Sequence, residues 1–170
     1  MNEANTKKLY DDFPRLYRDG LSKKGMMQWG IDCNDGWFDL IYQLSADIEA
    51  EAAHMGLDPD SKEWPCALQV KEKFGTLKFY CTVGEKKEEL QPEAAGPLLC
   101  FRPLPTNQTI RALIMEAEKK SATICEACGC PSELRREGWW RVTCDRCEAE
   151  RVARGVDNGS KYADKGMREP

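Results

Sequence analysis

Residues 66–83 read CALQVKEKFGTLKFYCTV, and their apolar side chains recur with a period of two. Cys66, Leu68 and Val70 alternate with more polar neighbours, and so do Leu77, Phe79, Cys81 and Val83. That alternation is the mark of a strand with one buried face. Between the runs stands Glu72-Lys73-Phe74-Gly75, where Gly75 can take positive φ. The stretch therefore predicts a β-hairpin. A register centred between Lys73 and Phe74 pairs like with like, setting Val70 opposite Leu77, Leu68 opposite Phe79 and Cys66 opposite Cys81. A slip of one residue would bring apolar side chains opposite polar ones.

Upstream, the period changes to about 3.6. Trp37, Leu40, Ile41, Leu44, Ile48 and Met55 form one apolar stripe of a helix, with Asp39, Asp47, Glu49 and Glu51 off it. Asn34 or Asp35 can cap its start, and Gly56 with Pro59 ends it. The hairpin's apolar face would cover this stripe. Ahead of it, Leu9, Tyr10, Phe13, Leu16 and Tyr17 suit a short helix broken by Pro14, or a strap across the core. Beyond the hairpin, 84–105 reads as a long loop with a brief strand at Leu98–Phe101. A second helix then runs from Thr106, its N-cap, to Ser121, on the stripe Ile110, Leu113, Ile114 and Ala117. The expected fold class is α+β: a helix packed on a small antiparallel sheet, with a C-terminal four-cysteine zinc ribbon.

That ribbon follows from the cysteines. The 170-residue chain has nine of them. Its N-terminal MNEANTKKLYDDF has acids where an export signal needs apolar residues, and no apolar run is long enough to span a bilayer. The expected location is the cytoplasm, where thiols stay reduced and clustered cysteines bind metal. Cys125-x2-Cys128 is followed after fifteen residues by Cys144-x2-Cys147. Each knuckle supplies two thiolates from one tight turn, so the four predict a single structural Zn2+. Glu133–Thr143 would form the joining hairpin with Gly138 near its turn, and Trp139 and Trp140 would shield the metal. Cys130 reads as a neighbouring thiol. Cys33, Cys66, Cys81 and Cys100 lack knuckle spacing and read as core thiols. EAERVARG after Cys147 reads as one or two helical turns. The organisation is a body over 1–122, a ribbon over 123–154, and a disordered tail over 155–170.

Charge narrows the function. Lys and Arg number 25 against 29 Asp and Glu, a formal −4. Six arginines and six carboxylates cancel between 123 and 154. Four thiolates with Zn2+ take the loaded ribbon to about −2. That balance excludes a general nucleic-acid coater. A local patch remains conceivable on the hairpin's outer face, at Lys71, Lys73, Lys78 and Tyr80, and on the ribbon, at Arg135, Arg136, Trp139 and Arg141. The sole histidine, His54, reads as an exposed or capping residue. Asp32, Asp35 and Asp39 read as helix-start acids. No phosphate-binding glycine loop, nucleophile elbow, HExxH or His-based acid–base pair occurs. The sequence describes a non-enzyme.

WGIDCNDGWFDLI, ALQVKEKFGTLKFY, ICEACG and TCDRC, in that order, resemble a family of small phage- and prophage-encoded proteins with a terminal zinc ribbon. The resemblance covers roughly residues 9–150, and its WG…DGW and QVKEKFG blocks are the most specific. No catalytic role attaches to either block. It implies a phage or mobile-element origin, and with it the cytoplasm of a bacterial host as the location. The expected function is then a phage-encoded accessory protein that binds a host protein or complex, with anti-CRISPR-like inhibition of host defence as one such role. The alternative is a zinc-ribbon protein that binds nucleic acid. No membrane partner is expected.

Overall fold

The computed structural model describes residues 1–83, 107–136 and 138–155. The expected loop, its brief strand with Cys100, the Thr106 cap and most of the expected tail lie outside these residues. The architecture is α+β. A three-stranded sheet of order β1-β2-β3 is built from β1 (Ile31–Asp32), β2 (Cys66–Lys73) and β3 (Thr76–Thr82). The helices are α1 (Glu3–Asp12), α2 (Arg18–Leu21), α3 (Phe38–His54), α4 (Gln108–Ser121) and α5 (Asp145–Ala153).

The hairpin forms as its alternation requires, but in another register. Phe74 and Gly75 make a two-residue turn with φ of 55° and 74°. Positive φ at both positions matches the twist of the flanking strands. The turn sets Lys73 opposite Thr76, Glu72 opposite Leu77, and Val70 opposite Phe79. From Gln69 to Lys73 the partners are displaced by two residues from the expected ones, so the side chains there keep their faces. A bulge at Leu68 then resets the ladder, leaving Cys66 opposite Thr82 and Cys81 opposite Ala67. The two cysteines are therefore not directly paired. The Glu72 carboxylate accepts the Gly75 N–H at 2.6 Å and closes the turn.

The sheet is mixed rather than purely antiparallel. β1 lies parallel to β2, with Ile31 opposite Val70 and Asp32 opposite Lys71. A strand of two residues is too short to carry a period. On the other edge, β3 is closed by α4: the Leu77 N–H donates to Ser121 Oγ at 2.9 Å, and Lys78 pairs with Glu118 at 3.0 Å. Side chains thus satisfy an edge that would otherwise invite pairing.

Ile41, Leu44 and Ile48 of α3 join Val70, Leu77 and Phe79 in one buried core. Ser45 and Ala52 complete the helix stripe. Met55 does not belong to it; it follows the last turn and is exposed. Helix α1 ends before Pro14, after which Phe13, Leu16 and Tyr17 enter the core. Burial raises the Tyr17 phenol above its ordinary pKa, and its hydroxyl is satisfied by Ser45 Oγ at 2.8 Å. A single 3-10 turn, Asp35–Trp37, precedes α3, whose start carries no side-chain cap. Asp35 instead accepts the Asn2 N–H at 2.8 Å and ties α1 to this corner. Helix α4 begins with Asn107, whose side chain accepts the Ile110 N–H at 2.8 Å.

Candidate metal centre

Cys125, Cys128, Cys144 and Cys147 bring their sulfurs within 4.8 Å of one another. Among the described residues they form the one group of donors placed to hold a metal ion. The Cys128 and Cys144 sulfurs are 3.6 Å apart. A tetrahedron with metal–sulfur bonds of about 2.3 Å has edges of about 3.8 Å, so this donor set fits a thiophilic ion. Cys125 and Cys147 are buried, while Cys128 and Cys144 are half-buried.

Local structure fixes each knuckle. Gly129 takes φ of 77°, its N–H donates to Cys125 O at 2.8 Å, and the Cys125 N–H donates to Cys130 O at 2.8 Å. The first knuckle is thereby wound around Cys128. The second opens α5, with Cys144 as N-cap and Cys147 in its first turn. Between them, β4 (Leu134–Arg135) and β5 (Arg141–Val142) pair antiparallel around Gly138, as the spacing predicts. Glu148 locks this hairpin to α5. It receives both Arg141 (2.5 and 2.9 Å) and Arg151 (2.9 and 3.2 Å), plus the Thr143 hydroxyl at 3.1 Å. The two guanidiniums hold its carboxyl well below the usual carboxylate range.

The thiols are electrostatically unequal. The Cys130 backbone N–H draws the Cys128 thiol down to about 6, whereas burial pushes Cys147 up to about 12. The Arg146 guanidinium also bonds Cys128. These donors place positive charge beside the Cys128 sulfur and favour its thiolate, the form that binds metal. Cys130 itself is exposed, stands outside the four, and has its pKa raised by its bond to Cys128. Cys33, Cys66 and Cys81 are buried core thiols as expected. His54 is exposed in the last turn of α3.

The first knuckle is seated on the body. The Trp37 indole N–H donates to Ile124 O at 2.8 Å, the Gly36 N–H to Glu126 O at 2.8 Å, and the Asn34 N–H to the Glu126 carboxylate at 3.1 Å. Trp37 and Glu126 are both buried. A β carbon on Gly36 would fall within 2.7 Å of three knuckle backbone atoms. Partners far apart in sequence make this corner, so no local pattern announces it.

The candidate binding patch does not survive as one surface. Lys78 is taken by Glu118, Arg135 by Asp145, and Arg141 by Glu148. Tyr80 is 8% exposed, with Lys71 over its ring. What remains is gathered elsewhere, around Phe74, which the sequence treats only as part of a turn. Phe74 is 60% exposed and meets Trp140 edge to face, with ring centres 6.5 Å apart. Trp139 and Trp140 are 46% and 41% exposed, where the sequence packs them as a shield over the metal. With Gly138 the three rings frame an open recess of about 390 Å3. Lys73 sits over the Phe74 ring at 5.3 Å, and Arg136 over Trp140 at 5.1 Å. The signal available in the sequence was an aromatic residue directly before the turn glycine, where Asn or Asp would be usual.

No protein-family model matches the chain, and neither a curated protein nor a solved structure does so at a significant level. No helix among the described residues is long and apolar enough to cross a membrane.

Proposed function

We propose that this chain is a non-enzymatic recognition protein, stabilised by one structural Zn2+ and docking on another protein through the Phe74–Trp139–Trp140 recess. Four soft thiolates at tetrahedral spacing, without histidine or a position left for water, are the donor set of a structural zinc. The zinc would be held by Cys125, Cys128, Cys144 and Cys147 and would carry no chemistry of its own. Its role is to fix the ribbon turn that bears Trp139 and Trp140.

The observation that carries the reading is the recess itself. Three large rings remain in solvent at the joint between two hairpins, each hairpin anchored by its own hydrogen bonds. Exposed aromatics in a concave setting, with arginine beside them, are the residues on which protein-binding energy concentrates. Phe74 also holds φ of 55°, a conformation costly for a bulky side chain. Such strain persists where function favours the residue over an easier one. The phage-encoded accessory role, acting on a host protein or complex, is the context that the sequence resemblance supplies.

Two measurements test this. Metal analysis should find one zinc per chain, lost in Cys144→Ser; retention of zinc by that variant overturns the ligand set. The tagged chain should then capture a host protein that rebinds in purified form at one to one by calorimetry. Phe74→Ala with Trp139→Ala should abolish that rebinding while leaving the zinc content at one. Unchanged rebinding by the double variant overturns the docking surface.

A further inference from the structure

We infer that a cavity between α1 and β1, separate from the aromatic recess, receives an arginine side chain presented by a partner protein. Of the WG…DGW block, Gly36 and Trp37 are accounted for by the seating of the knuckle, and Trp29 is not. Trp29 ends the 3-10 turn Gly25–Trp29 and is 76% exposed, the most of any large apolar side chain among the described residues. Gly30, at φ of 75°, joins it to Ile31, which is buried, and Asp32, which is exposed. Trp29 and Asp32 line a cavity of about 800 Å3 together with Glu3, Lys7 and Tyr10 of α1. That volume is typical of a ligand cleft and admits a side chain with its peptide neighbours.

Charge selects the occupant. The lining carries the carboxylates of Glu3, Asp11, Asp32 and Glu126 against Lys7 and the Met1 amino group. Lys7 is taken by Asp11, the Met1 amino group by the Cys33 carbonyl, and Glu126 by the Asn34 N–H. The carboxylates of Glu3 and Asp32 have no ion pair or hydrogen bond among the described residues. Lys71, opposite Asp32 in the sheet, lies instead over the Tyr80 ring at 5.7 Å. The Tyr10 hydroxyl is shut from solvent and has no hydrogen-bond partner among the described residues, which leaves this part of the lining one hydrogen bond short. A guanidinium suits both the ring and the acids. Its planar face stacks on an exposed indole, and its fork of N–H donors engages carboxylates in pairs. A lysine ammonium lacks the planar face and the fork. The surplus of carboxylates also repels phosphate, so the cavity does not suit a nucleic-acid strand.

The test uses the full-length zinc-loaded protein and four probes: the peptides Ac-ARA-NH2 and Ac-AKA-NH2, the first of these with citrulline in place of arginine, and agmatine. The indole N–H signal of Trp29 in NMR spectra, assigned with Trp29→Phe, reports the cavity. The arginine peptide should move this signal and bind about tenfold more tightly than its citrulline twin, with the advantage fading as salt rises. It should also bind about threefold more tightly than the lysine peptide, a margin that Trp29→Ala should erase. Asp32→Asn with Glu3→Gln should erase the margin over citrulline while amide signals away from the cavity stay in place. The inference is overturned by equal binding of the arginine peptide and either twin, or by a Trp29 signal that no peptide moves. Tighter binding of agmatine than of the arginine peptide overturns it as well, since the occupant would then be a small amine. The recess is judged instead by rebinding of the captured protein, so the two readings fail separately.

Discussion

Gly36 touches the metal knuckle so closely that a β carbon on it would stand 2.2 Å from the carbonyl oxygen of Cys125. Gly129 N and Cys128 N would lie at 2.5 and 2.7 Å, so backbone atoms on both sides would have to yield. Gly36→Ala should cost about 3 kcal/mol, the upper range for overpacking. The damage should fall on the seating of the knuckle rather than on metal binding. Zinc content should remain at one per chain, while limited proteolysis begins to cut near 122–124. Loss of zinc in this variant would show that seating and metal loading are one event.

Ser121 is fully buried at the end of α4 and supplies the acceptor for the Leu77 N–H at 2.9 Å. Its own hydroxyl donates to Glu118 O at 2.6 Å. Ser121→Ala strands a buried N–H on the edge strand, which costs about 1–3 kcal/mol. Denaturant unfolding should show the loss, and amide exchange at Leu77 should accelerate. Wild-type stability would mean that α4 does not close this edge.

Phe74→Asn separates strain from function. Asn accepts positive φ at about 1 kcal/mol less cost, whereas the contact with Trp140 is worth about 0.5–1.5 kcal/mol. The two nearly cancel, so stability should stay within about 1 kcal/mol of wild type. Rebinding of the captured protein should disappear. A fall in stability of more than about 2 kcal/mol would identify Phe74 as a packing residue instead.

Glu148→Gln keeps the shape of the side chain but leaves the guanidiniums of Arg141 and Arg151 without their shared carboxylate. The Glu148 side chain is 17% exposed and that of Arg141 12% exposed, so water screens the loss only in part. A cost of about 2 kcal/mol is expected, that of charged hydrogen bonds at a partly buried site. The melting temperature should fall and zinc affinity with it, since the hairpin between the knuckles loosens. An unchanged melting temperature would place Glu148 among surface pairs of no consequence.

Cys130→Ser should keep one zinc per chain, and Cys128→Ser should lose it. In the zinc-loaded protein, iodoacetamide followed by peptide mapping should find the adduct at Cys130 and spare the four ligands. Protection of Cys130, or loss of zinc from Cys130→Ser, would make it a ligand.

The parts of this molecule that local spacing governs could be read from the chain. Cys125-x2-Cys128 and Cys144-x2-Cys147 needed no tertiary information, because each knuckle is a single turn. The parity of the hairpin was legible between the bulge and the turn, where burial of one face dictates it, but beyond the bulge Ala67 rather than Leu68 enters the core. The hairpin's register was not legible, because the dihedral angles of Phe74 and Gly75, rather than the alternation, decide which residue faces which. The parallel strand Ile31–Asp32 is invisible for want of length. The basic patch misled for another reason: Lys78 meets Glu118 forty residues away, and Arg141 meets Glu148 across the ribbon. Lysines and arginines look free in a sequence until their carboxylates are found. The converse holds for Trp139 and Trp140, which local reasoning buries and the fold leaves in water.

The peptide that carries Cys125 and Glu126 also terminates the hydrogen bonds of Asn34 and Gly36 ahead of α3. The first knuckle and the entrance to α3 thus meet at Glu126, the residue next to Cys125. Anything that binds only the native state adds its free energy to folding, and here that addition reaches the body through a shared backbone. A metal held by the four thiolates would therefore steady the seating of the first knuckle on the body as well as the ribbon itself.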